Sequence, residues 1–157
     1  MLFLSHALTA LFNQGTHECV RLAEEGLFTK RGILMGFRFL GIDHVQLSMP
    51  RGQESVATAF YQDILGFTRV SKPIELNNQS GAWFETPGVA LHLGEDVEFR
   101  PAAKAHPALL VQGFDDLVGS LEAHGILVSL AEPLNGARRA HIFDPFANRI
   151  ELVEAAN

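Results

Sequence analysis

Two sets of chemically similar side chains recur in this 157-residue chain at nearly the same interval. His44 and His106 stand 62 positions apart, and His92 and Glu151 stand 59 apart. Two near-equal offsets point to duplication of a unit of about 60 residues. Duplication limits the fold severely, because whatever the first copy forms the second must form too. A chain of this length fits one compact domain or two small, closely packed modules.

The elements repeat as well. The first unit opens on an alternating strand, Asp43–Ser48, and continues into GQESVATAFYQDILGF, where Val56, Phe60 and Ile64 share one helical face. Gly66 stands where a helix end favours a residue able to take positive φ. Extended runs follow at Phe67–Val70, Ala82–Thr86 and Val89–Leu93, with Pro87-Gly88 turning between the last two. The second unit has a strand over Ala105–Gln112, then a helix capped by Asp115 and running through Leu117 and Leu121 to Gly125. Strands at Ile126–Leu130, Arg138–Phe143 and Arg149–Val153 complete it, with Asp144-Pro145 as the last turn. Both units therefore read strand, helix, strand, strand, strand.

Side chains alternate across a strand, so each strand has two readable faces. Val45, Leu47 and Met49 share one face of the first strand, and His44, Gln46 and Ser48 share the other. Leu91 and Leu93 oppose His92, and Ile150 and Leu152 oppose Glu151. The apolar faces are expected to pack under the helices, leaving a cup of small and polar residues around each histidine or glutamate. After His106 both faces are apolar, which predicts a more buried strand there.

Alone, each of these residues would be an ordinary strand or edge residue; the combination carries the expectation. If the modules pair about a pseudo-twofold axis, His44, His92, His106 and Glu151 converge on one point. Three neutral imidazoles and a carboxylate suit one borderline divalent ion: Zn, Ni, Mn, Fe or Co.

Composition narrows the function classes. A net charge of −6, with 12 basic residues scattered along the chain, gives no stripe that would neutralise phosphates, so no nucleic-acid partner is expected. No apolar run is long enough for a membrane span. The single cysteine, Cys19, cannot form an internal disulfide and points to the cytoplasm. Residues 1–38 stand apart from the repeat. Leu4, Leu8, Leu11 and Phe12 recur at helical spacing, so this extension is either an added amphipathic helix or lies upstream of a natural start at Met35.

The segments DHVQLSMP, AFYQDILGF, VALHLGE and above all FDPFANRIELVE resemble the vicinal oxygen chelate superfamily, which includes glyoxalases, bleomycin-resistance proteins and extradiol dioxygenases. The likeness covers residues 39–154. It implies an α+β fold of paired βαβββ modules, about 41–95 and 105–154, forming a glyoxalase-like half-open barrel. By resemblance, the family's metal ligands fall on His44, His92, His106 and Glu151. Bacterial-type glyoxalase I carries a glutamate where this chain has His92, and the fosfomycin-resistance thiol transferases match only His44, His106 and Glu151. The family's usual glycine in the DPFGN turn is Ala147 here. A homodimer is implied by resemblance, as modules are exchanged between chains in some members.

The resemblance implies chelation of a small substrate with neighbouring oxygens, the metal stabilising an enediolate-like anion. In a glyoxalase-like lyase or isomerase the proton would pass to Glu151, the remaining ligand able to take it. Gln46, Ser48 and Trp83 are candidates to line the pocket. One of Arg138 and Arg139 points into the cup by alternation and would clamp an anionic group. Two other classes compete. A thiol transferase would add a thiol co-substrate, and a non-catalytic bleomycin-type binder would need an aromatic cleft without convergent ligands.

Overall fold

The structure is a computed structural model that describes residues 36–76 and 80–156. Expectations for Cys19 and most of the N-terminal extension lie outside the described residues. The chain divides between Gly41 and Ile42, and the fold below is that of the unit Ile42–Asn157.

Each module builds a four-stranded mixed sheet. In the first, β1 (Val45–Pro50) runs parallel to β4 (Val89–Asp96), which pairs antiparallel with β3 (Ala82–Thr86), and β3 with β2 (Thr68–Val70). The second repeats this order with β5 (Ala108–Val111), β8 (Arg149–Glu154), β7 (Ala137–Phe143) and β6 (Ser129–Leu134). The parallel pair in each sheet requires a crossover, and the helix after the opening strand supplies it. Two open sheets with few helices form the glyoxalase-like α+β fold that the resemblance implied.

Alternation sorts the faces as the pattern requires. Met49, Leu91, Leu93 and Phe84 are buried in the first module, and Ile150, Leu152, Ala140 and Ile142 in the second. Each of these side chains other than Ala140, withdrawn from water, contributes on the order of 1.5–3 kcal/mol.

Several local details differ from the pattern, each for a physical reason. The first helix is α-helical only over Glu54–Thr58 (α1) and widens to π winding over Ala59–Ile64, where Leu65 N–H donates to Phe60 O. Wider winding turns the adjacent Phe60 and Tyr61 both inward and leaves Val56 exposed. The second helix, α2 (Phe114–Ala123), starts from Gly113 at φ 76, and Asp115 lies in its first turn instead of capping it. Acidic side chains there still favour the positive end of the helix. β6 runs on to Leu134, past the expected end at Leu130, because Asn135 and Gly136, both at positive φ, form a two-residue hairpin turn into β7. β5 is a sheet edge, not a buried strand: Leu110 is 74% exposed.

The β7–β8 turn links the modules. Its buried Asp144 accepts from the backbone N–H of Phe146 and Asn148 at 2.9 and 2.7 Å, from Asn148 Nδ2 at 2.8 Å, and from Tyr61 Oη at 2.8 Å. Asn148 Nδ2 also donates to Ser48 O at 2.8 Å. Motif FDPFAN is thus a polar clasp gripping the first module by its helix and by β1.

Candidate metal centre

Register puts the two sets of singled-out residues in equivalent rows. Gln46, His92 and Trp83 are cross-strand partners in the first sheet; Ala108, Glu151 and His141 are their counterparts in the second. His44 and His106 each stand two residues before the row, just ahead of their edge strands.

In the second module the row closes into a cluster. His106 Nε2 lies 3.0 Å from Glu151 Oε2. His141 sets its ring edge-on to His106, with centroids 5.5 Å apart. One ligand atom from each of His106, His141 and Glu151 lies within 4.8 Å of the others; among the described residues this is the one such group of three histidine, cysteine or acidic side chains. His106 Nδ1 donates to Lys104 O at 2.6 Å, which fixes the proton on that nitrogen. Nε2 then presents its lone pair towards a carboxylate oxygen. Two acceptors at 3.0 Å need a positive charge between them, either a proton or a cation, so the donor set fits a divalent ion.

Glu151 is buried but stays charged. Arg139 Nε donates to its Oε1, holding its carboxyl below the usual range against the opposing effect of burial, and His106 adds to the shift. Arg138 does not reach this face. It points to the helix side, where it forms a paired bond to Asp115 (2.6 and 3.0 Å), bonds Glu154 and stacks over Phe114. Of the two candidate arginines, only Arg139 stands at the cluster.

The first module holds a different arrangement. Trp83, His92 and His44 stack as three successive rings, with centroids 3.9 and 4.2 Å apart and interplanar angles of 3° and 22°. His44 repeats the feature of His106, since its Nδ1 donates locally, to Asp43 at 2.8 Å, leaving Nε2 for a ligand. Burial and the neighbouring His44 hold His92 below the ordinary histidine range, so it is neutral. His44 and His92 are thus held face to face in the first module. Neither joins the His106–His141–Glu151 group within one chain. Their depression, about 860 Å³, is also lined by Gln46, Lys72, Glu85 and Gly94. Ser48 faces instead a second depression that extends to His106.

His141 is the member of the His106–His141–Glu151 group that the repeat did not single out as a ligand. The signal was present: a turn closed by Asp144 and Asn148 pairs Phe143 with Arg149, and counting back along both strands sets His141 opposite Glu151.

The family model of the Glyoxalase/Bleomycin resistance protein/Dioxygenase superfamily matches residues 41–152, and the chain belongs to that superfamily. Among solved structures, a glyoxalase family protein from Bacillus anthracis is 38% identical, with a TM-score of 0.74 over 78% of this chain and all of that one. A glyoxalase/dioxygenase from Nostoc punctiforme is 22% identical (TM-score 0.66, 80% and 97% covered). A lactoylglutathione lyase from Agrobacterium tumefaciens is 23% identical (TM-score 0.59, 74% and 94% covered). At 22–23% identity the last two show the shared fold. No match was found among curated proteins.

Proposed function

We propose that this chain is a metal-dependent lyase or isomerase of the glyoxalase kind, acting on a small substrate with neighbouring oxygens. The observation that carries it is the pairing of His106 Nε2 with Glu151 Oε2 at 3.0 Å beside His141, a ligand set of two imidazoles and one carboxylate with room for further ligands. When bound, a divalent ion supplies Lewis-acid charge to both oxygens of a chelating substrate.

The chain's own residues do the rest. His106, locked by Lys104 O, and Glu151, held ionised by Arg139, keep their donor atoms aimed at one place before any ligand arrives. Glu151, charged at neutral pH, would accept the proton from the carbon next to the carbonyl on Oε2 once that oxygen is displaced from its ligating role, while Oε1 stays with Arg139. His44, which does not join the His106–His141–Glu151 group within one chain, comes to the centre from a second copy. This makes the working form a homodimer with two shared sites.

The test is turnover of the hemithioacetal of methylglyoxal by metal-replete protein. Wild type should isomerise it, and Glu151→Gln should lose on the order of 10²–10⁴ in rate. Turnover by the variant at the wild-type rate would overturn the role of Glu151, and an inert wild type would overturn the substrate class.

A further inference from the structure

The two oxygens of Glu151 face different partners. Oε2 faces His106 Nε2, and Oε1 accepts from Arg139 Nε. Arg139 is itself braced, with Nη1 donating to Glu132 O on β6 at 3.4 Å, and its side chain is largely covered. It lies one row along from Glu151, opposite Val153 on β8, so its guanidinium reaches the carboxylate diagonally on the cup face.

We propose that Arg139 is a positioning residue that restricts Glu151 to a single ligating oxygen, Oε2. This rests on the reading of the second module as a metal centre. A carboxylate free at both oxygens can close on a divalent ion with both, occupying two coordination positions. With Oε1 engaged by a guanidinium, it occupies one. The position kept open is then available to the second oxygen of a chelating substrate, so Arg139 shapes the centre for bidentate substrates without touching them. Lysine would supply the charge but not the rigid planar donor.

Cobalt(II) is a direct probe, because its visible absorption weakens as coordination number rises. Arg139→Met and Arg139→Lys should remain folded by thermal melt. In Arg139→Met the cobalt bands should fall in intensity and cobalt affinity should change by about 10-fold or more; Arg139→Lys should fall between it and wild type. Wild-type band intensity in folded Arg139→Met would overturn the proposal, whatever its affinity. A readout without metal separates this from the metal reading itself. In metal-free protein the Arg139 Nε–H proton resonance should lie downfield and exchange slowly, and Glu151→Gln should abolish both properties. Wild type that binds no cobalt overturns the metal centre, and with it the ligating role assigned here. A resonance unmoved by Glu151→Gln overturns the Arg139 contact on its own.

Discussion

At the scale of single residues, the chemistry depends on which atom of each side chain is already engaged. His106 gives Nδ1 to Lys104 O and His44 gives Nδ1 to Asp43, so both opening histidines offer the same nitrogen to a ligand. Duplication has thus carried over the tautomer as well as the residue. Tyr61 is engaged in the opposite sense: burial first, and then the Asp144 carboxylate, push its hydroxyl well above the ordinary value of 10.0. A raised folded-state pKa means that this contribution to stability is complete below pH 10 and is lost as pH rises beyond it, where the unfolded chain ionises and the native one does not. Because the chain has one tyrosine, tyrosinate absorbance reads this group alone. It should appear only together with alkaline unfolding, and Tyr61→Phe should cost about 1–2 kcal/mol at neutral pH. Tyrosinate absorbance in a still-folded protein near pH 10 would contradict the buried Tyr61–Asp144 bond.

At the scale of elements, much was legible because strand alternation and helix punctuation are local. The faces of β1, β4 and β8 follow from the spacing of Leu, Ile and Val, and the buried Leu91, Leu93, Ile150 and Leu152 confirm them. What escaped depended on information that is not local. π winding after Thr58 is set by the need to bury Phe60 and Tyr61 together, one of them to meet a carboxylate 83 residues later. His141 joins Glu151 only through the antiparallel register that the β7–β8 turn imposes. That turn carries a visible strain, because Ala147 sits at φ 64 where the family's pattern has glycine. Removing its Cβ relieves a left-handed conformation worth roughly 1 kcal/mol, partly offset by the greater freedom of glycine when unfolded. Ala147→Gly should therefore raise the midpoint of thermal unfolding slightly, and a clear fall would show that the methyl group makes a contact of value.

At the scale of the whole molecule, duplication has produced two unlike halves. The second module gathers two imidazoles and a carboxylate around a point, whereas the first replaces the carboxylate by His92 and the third ligand type by Trp83, giving a stacked aromatic row. Within one chain His44 and His92 lie apart from the group that His106 and Glu151 form with His141, and a second copy would bring His44 to it. The sequence pattern could show equivalence between modules, but not the distance between them, since that depends on packing outside either repeat. Among the described residues, only the second module brings three such ligand atoms within 4.8 Å of one another. The most direct measurement is the divalent metal content of full-length protein after metal loading and removal of the excess, for wild type, His106→Ala and Glu151→Gln. Wild type should hold about one ion per chain, and each variant should lose at least about tenfold in affinity. A wild type without stoichiometric metal, or a folded Glu151→Gln that binds as tightly as wild type, would contradict a metal centre on the second module.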